Sequence, residues 1–304
     1  MGDALRADTP AGFGAALVAE GLLVPMGVAG LYGRDARLEA VIEGVDRLVL
    51  RAGMADGAAS LRFPPTIPRD VLERSDYLRS FPHLTGTVHG FAGGEHEHAE
   101  LLERLEQGTG WWRGLQATDV VLTPAACYPV YPVLAGTLPR EGRLVDVCSQ
   151  VFRREPSDDP TRLQAFRMHE QVCAGSAEQC LAHRDRWVDR GLALLHALEV
   201  PGKVRPANDP FFGRAGRMLA SSQRELELKL ELVVPIAGSP TACASFNYHQ
   251  DHFGAAFGIR TARGAVAHTS CIGFGLERMA LALLWHHGTR PDRWPRPVRE
   301  LLGA

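Results

Sequence analysis

The stretch "ELELKLELVVP", Glu225 to Pro235, restricts the possible folds more than any other part of the chain. Leu226, Leu228, Leu230 and Leu232 alternate strictly with charged residues. A period of two places the leucines on one face of a strand and the charges on the other, and would scatter both around a helix. A sheet with one apolar face is therefore required, and "TACASFNYH" at 241–249 reads as the neighbouring strand. Helical periodicity lies elsewhere. Leu38, Val41, Ile42, Val45, Leu48 and Val49 predict an amphipathic helix over 34–52. "LRFPPTIPRD" follows, and its prolines limit it to an extended edge, passing into a helix near Asp70. "GGEHEHAELLERLEQ" is a charged helix, "VVLTPAACYPVYPVLAG" a strand running into a loop and short helix, and "LVDVCSQVF" a strand. Ser176 and Gln179 form a capping box for a helix to about Leu198, and "GRAGRML" at 213–219 is a loop or turn. "SCIGFGLERMALALLWHH" begins as a strand and becomes a helix at about Leu276. Residues 1–33, rich in Gly and Ala, show little periodicity. The expected fold is α+β, an antiparallel or mixed sheet flanked by helices, with 1–304 as one domain whose N-terminal segment 1–33 is loosely patterned.

Composition excludes several classes. Of 304 residues, 45% are apolar and 22% charged, and the net charge of -2 offers no global positive field for a large nucleic-acid surface. No apolar run approaches membrane-spanning length. The six cysteines are scattered, with no paired spacing, and no signal peptide is recognisable, so a cytoplasmic protein with buried thiols is expected. Cys148, Cys173, Cys180 and Cys243 read as core or strand residues. His96 and His98 read as solvent-facing, and Trp111 and Trp112 as the edge of a core or a docking surface.

Two segments carry chemistry. "VFRREPSDDPTRLQAFRMHEQVC", 151–173, is a hairpin with Arg153, Arg154, Glu155, Arg167 and Glu170 crowded on its arms. Arginine presents a planar fork suited to phosphate oxygens. Strand alternation would set Arg153 and Glu155 on one face and Arg154 on the other. The same residues also suit a surface hairpin laced with weak ion pairs. About a hundred residues later, Gly273 and Gly275 precede a helix opening with Glu277 and Arg278, a place fit for phosphate.

In that order and spacing, "FRRE" (152–155) and "GFGLER" (273–278) resemble motifs 2 and 3 of the class II aminoacyl-tRNA synthetases. The resemblance is firm over Val145–Leu284. It extends loosely to the 34–52 helix and the proline stretch after it, which would stand in for the dimer-forming motif 1. It implies adenylation of an amino acid by ATP on a homodimeric enzyme. Arg153 would contact the α-phosphate and the substrate carboxylate, and Glu155 would accept from the adenine amino group. Arg278 would stack on adenine and reach the γ-phosphate. Glu231 is the candidate Mg²⁺ carboxylate, with Glu227 beside it as a second choice. Gln171 stands where the family carries an adenine-stacking aromatic, while Phe166 lies five residues earlier and on the opposite face of the strand from it.

A further departure narrows the family. Where seryl-type enzymes read Thr-x-Glu, this chain reads "TPAACYP", with Cys127 at the glutamate position. Together with Glu170 and Cys271, this resembles the methanogen-type seryl-tRNA synthetases, whose Cys, Glu and Cys hold a Zn²⁺ that takes the substrate amino group. Three protein ligands leave one vacancy for a Lewis-acid role. No coiled-coil arm or basic stripe for tRNA precedes the Cys127 loop. The stripped core resembles the bacterial amino acid:[carrier protein] ligases, which pass a small amino acid to the phosphopantetheine thiol of a carrier protein. "TACASFNYHQDHFG" is similar to the corresponding stretch there, and Asn247 and His249 become candidate substrate contacts. The expected substrates are ATP, with Mg²⁺, and glycine or alanine. The expected partners are a carrier protein and a second copy of the chain, without tRNA and without a membrane. Alternatives are a truncated seryl-type synthetase and a non-catalytic nucleotide-binding paralogue.

Overall fold

The protein is described by a computed structural model over residues 9–212, 223 and 226–303; the "GRAGRML" stretch lies outside the described residues. Strand β1 (Leu23–Pro25) and β2 (Tyr32–Arg34) form a small hairpin, and β4 (Thr66–Pro68), β5 (Thr87–Gly90) and β6 (Gln116–Leu122) a three-stranded sheet. The short strands β7 (Gly136–Thr137) and β13 (Ile259–Arg260) pair in parallel. The main sheet has seven strands. They are β3 (Ala59–Leu61), β8 (Arg143–Phe152), β9 (Ala165–Gly175), β10 (Lys203–Pro206), β11 (Lys229–Ile236), β12 (Ser239–Tyr248) and β14 (His268–Gly275). Their order is β10-β11-β12-β14-β9-β8-β3, antiparallel throughout except for the parallel β3–β8 edge.

The pleat gives this sheet two different faces. Phe246 of β12 and Ile272 and Phe274 of β14 turn to the reverse face. There they meet α2 (Ala36–Gly53), α7 (Ala177–Ala197) and α9 (Leu276–His287) in the larger core, with Trp187 of α7 5.9 Å from Phe274. Six apolar residues of α2, from Leu38 to Val49 at helical spacing, are buried there. The expected capping box on α7 forms in both directions, Gln179 N–H to Ser176 Oγ at 3.2 Å and Ser176 N–H to Gln179 Oε1 at 2.7 Å. The strand-to-helix switch at Leu276 falls where the sequence puts it.

Two elements are not apparent from the sequence pattern, a helix within the loosely patterned N-terminal segment and a late start to β11. Helix α1 (Pro10–Ala19) starts at a Thr9 cap followed by proline, and Phe13 and Leu17 are fully buried. Its other positions are mostly small, so one i,i+4 pair reaches the core and no periodicity is visible. The strand read from Leu226 begins only at Lys229. Glu227 has φ +49°, which breaks the extended run, and the Leu228 N–H is taken by Gln223 O. Leu226 is exposed, and the remaining leucines Leu230 and Leu232 do face the core.

On the reverse face, Arg167 of β9 closes a ring of four charges. Its guanidinium meets both Glu39 oxygens at 2.5 and 2.9 Å and Glu277 Oε1 at 3.3 Å, while Arg34 lies 3.3 Å from Glu39 and 3.4 Å from Glu277. The Arg167 backbone N–H also donates to Glu277 at 2.7 Å. One step along, His169 is fully buried, its ring nitrogens 2.6 Å from Asp46 and 2.6 Å from Asp146. Both clusters join α2 to β9. Among the described residues, no helix is long and apolar enough to cross a membrane. Removing Glu277, which is 3% exposed, leaves two facing arginines to share Glu39 alone, so Glu277→Ala should cost about 3 kcal/mol. Urea unfolding of the variant against the parent measures this.

Candidate active site

The opposite face of the sheet is the floor of a cavity of about 670 Å³. Hydrogen-bond register explains which residues meet there. Glu170 pairs with Gly273, Gly273 with Ser245, and Ser245 with Glu231, so residues more than sixty positions apart form one row across four strands. The adjacent row runs Cys271, Asn247, Lys229. All of these line the cavity, with Met168 and Phe166 one and two same-face steps from Glu170 along β9.

At one end, Cys127, Glu170 and Cys271 converge, all buried, with their ligand atoms within 4.8 Å of one another. Cys127 arrives from the loop after β6, where the Ala126 N–H donates to Glu170 Oε1 at 2.8 Å. The Cys127 thiol is held well above its usual range by its hydrogen bond to Cys271 and by burial. Glu170 is raised by burial, against the pull of both thiols. Burial disfavours the charged form of all three groups, and a divalent ion is the counter-charge that would favour it. Among the described residues the cluster holds two thiols and a carboxylate and no fourth donor, a set that would suit zinc with one position open. Asn247 donates to the Cys271 carbonyl at 3.4 Å and lies 3.6 Å from its sulfur. His249 Nε2 is 3.6 Å from the same sulfur, and burial pushes its pKa down to about 3, so the ring is neutral. The second His/Cys/Asp grouping, Asp46, Cys148 and His169, belongs to the reverse face, where the two carboxylates already occupy the imidazole.

At the other end, Arg278 is fixed by hydrogen bonds from Nε to Thr161 O at 2.7 Å and from Nη1 to Ala242 O at 3.0 Å. Arg153 donates through Nε to Pro124 O at 2.9 Å, and its guanidinium sits 5.7 Å from the centre of the Phe166 ring. A Cβ added at Gly273 or Gly275 would meet nothing closer than 3.4 Å. The space these glycines leave open is cavity rather than protein, as close approach by a ligand requires.

Several sequence readings shift in detail. β8 ends at Phe152, so Arg153, Arg154 and Glu155 lie in the hairpin loop and strand alternation does not govern them. Arg153 is pinned instead by the Cys127 loop. Glu155 stands outside the cavity wall, 4.0 Å from Arg162. Gln171 faces the reverse side and donates to Asp146. Phe166, with the parity of Glu170, faces the cavity and supplies the aromatic surface missed at Gln171. Glu231 lines the floor, its carboxylate 3.1 Å from the Lys229 ammonium, whereas Glu227 does not line it. Lys229 is itself buried and 2.6 Å from Asp209. This ion triad was not singled out from sequence, although a lysine among three glutamates on a polar strand face was its visible sign. Of the "YHQDHF" residues, His249 and His252 line the cavity and Asp251 does not. His96, His98, Trp111 and Trp112 are exposed and remote from it.

This sheet, hairpin and Gly-x-Gly helix define a class II synthetase catalytic fold. M. kandleri SerRS, solved in complex with A. aeolicus tRNASec, superposes with a TM-score of 0.82 over 95% of this chain and 59% of that one, at 24% identity. The Pyrococcus horikoshii seryl-tRNA synthetase complexed with ATP gives 0.66 over 91% of this chain and 58% of that one, at 16% identity. No protein-family profile matches. Amino acid–[acyl-carrier-protein] ligase 2 of Bradyrhizobium diazoefficiens is 46% identical over 94% of this chain and 86% of its own length. Ligase 1 of that organism is 45% identical over 94% and 89%. The type-2 serine–tRNA ligase of Methanopyrus kandleri is 26% identical over 84% of this chain and 53% of its own length. The chain belongs to the amino acid–[acyl-carrier-protein] ligases and is an enzyme of that class.

If Phe166 provides one wall for a nucleotide base, Phe166→Ala should raise the KM for ATP about tenfold with a smaller effect on kcat. Steady-state kinetics at saturating amino acid would read this, and an unchanged KM would remove Phe166 from the site.

Proposed function

We propose that the protein activates a small amino acid, glycine or alanine, as its adenylate and transfers it to the phosphopantetheine thiol of a carrier protein. The observation that carries this reading is the convergence of Cys127, Glu170 and Cys271 on the same cavity as Arg153 and Arg278. The first group suits an amino group and the second suits anions, and an α-amino acid beside ATP offers both. The relatives' names support the carrier protein as acceptor.

In the first half-reaction a substrate carboxylate oxygen attacks the α-phosphorus, and the bond to pyrophosphate breaks. In the second, the carrier thiolate attacks the acyl carbon and AMP leaves. The acceptor thiol is the partner's, so no cysteine of this chain need act as nucleophile. Arg153 neutralises the α-phosphate and substrate carboxylate, and Arg278, held rigid by two carbonyls, stacks on the base and reaches the γ-phosphate. Catalysis of this type rests on positioning and charge neutralisation. Glu155 would accept from the adenine amino group once the hairpin loop closes toward it. Cys127, Glu170 and Cys271 would hold one Zn²⁺, which supplies a Lewis acid that binds only the neutral amine. Asn247 and His249 flank that place and orient the substrate. Glu231 would bind Mg²⁺ with ATP, moderated by its pairing to Lys229. The likeness of α2 and the proline stretch at 61–70 to motif 1 supports a homodimer. Six free thiols suit a reducing cytoplasm. The reading assigns no role to tRNA.

Glycine or alanine should drive pyrophosphate–ATP exchange, and labelled amino acid should appear on holo-carrier protein and not on apo-carrier or tRNA. Charging of tRNA instead would favour the seryl-type alternative. Metal analysis of protein prepared without chelator should find about one zinc per chain, the content of a single three-ligand site. Cys127→Ser should lose it, and unchanged zinc in that variant would overturn the ligand assignment.

A further inference from the structure

We infer that the Tyr77 hydroxyl donates a hydrogen bond to the anionic substrate oxygen that Arg153 neutralises. This deepens the adenylation reading and rests on it. Among the described residues, five buried side-chain polar atoms have no hydrogen-bond partner: Tyr77 Oη, His83 Nδ1, Thr123 Oγ1, Tyr131 Oη and Trp187 Nε1. Of these five residues, Tyr77 alone lines the cavity.

Tyr77 opens helix α4 (Tyr77–Ser80) and is 4% exposed. Its ring is held by Phe81 at 5.1 Å and edge-on by Tyr128 at 5.6 Å. Packing therefore accounts for the ring and leaves the hydroxyl unexplained. A buried hydroxyl without a partner is destabilising, so a phenylalanine would serve the fold better. The preceding residue, Asp76, adopts φ +55° and also lines the cavity. A non-glycine residue in the left-handed region beside a cavity is strain of the sort found at ligand-binding sites. The charged groups near enough to act on the hydroxyl are Arg153, Glu155 and Asp209. Burial pushes its pKa up to about 12, so it stays protonated and is a donor at neutral pH. Asp209 is occupied by Lys229 at 2.6 Å and Gln223 at 2.8 Å. Arg153 lines the same cavity as Tyr77, so the acceptor assigned to the hydroxyl is the anion that Arg153 attracts, a carboxylate or α-phosphoryl oxygen.

Tyr77→Phe tests the inference, because it deletes only the hydroxyl and keeps both ring contacts. The thermal unfolding midpoint should hold or rise. Amino-acid-dependent pyrophosphate–ATP exchange should lose about ten- to hundredfold in kcat/KM, as for one hydrogen bond to a charged group. Exchange kinetics matching the parent would overturn the inference. So would a fall in unfolding midpoint with unchanged kcat/KM, since that describes a structural hydroxyl. Parent protein that exchanges with no amino acid overturns the adenylation reading itself. In that event calorimetric titration with ATP alone decides Tyr77: weaker binding in Tyr77→Phe supports the contact, and equal binding overturns it.

Discussion

The pleat of β9 is the constraint on which the rest of the molecule depends. Phe166, Met168 and Glu170 point into the cavity, and Arg167, His169 and Gln171 point to the reverse face. A slip of one residue would exchange the two sets, placing the Glu170 carboxylate in the core and Arg167, His169 and Gln171 in the site. Register is guarded from the reverse side. Arg167 can meet Glu39 and Glu277, and His169 can meet Asp46 and Asp146, only in the observed pairing. These polar contacts align the sheet with α2 and so set where each functional side chain stands.

That division answers why one hairpin carries so much fixed charge. Arg153 and Glu170 belong to the cavity, pinned by Pro124 O and the Ala126 N–H of the same loop. Arg167 belongs to the fold. Glu277 and Arg278 repeat the division within two residues, Glu277 bracing α9 against Arg34 and Arg167 while Arg278 enters the cavity. Bracing of this sort keeps catalytic groups within the tight tolerances that charge neutralisation requires.

Much of the architecture was legible because its signals are local. The 36–53 helix announces itself through six apolar residues at helical spacing, the α7 cap through Ser176 and Gln179, and the β14-to-α9 switch through a change of period at Leu276. Helix α1 was not legible, because a Gly- and Ala-rich segment contributes only Phe13 and Leu17 to the core. Nor was the late start of β11, since alternation persists through Leu226 and Leu228 while a left-handed Glu227 ends the strand.

By itself the sequence determined the α+β class, the two motif segments and the residue types able to hold an anion and a thiophilic metal. Only the tertiary structure decided which of them meet. Sheet register puts Glu170, Gly273, Ser245 and Glu231 in one row, although the chain separates them by tens of residues. Parity turns Phe166 toward the cavity and Gln171 toward Asp146 on the reverse face. Burial leaves Tyr77 with a hydroxyl that no atom of the described residues satisfies. The reason is physical: periodicity and motif are properties of neighbours along the chain, whereas hydrogen-bond pairing, desolvation and charge compensation are properties of neighbours in space.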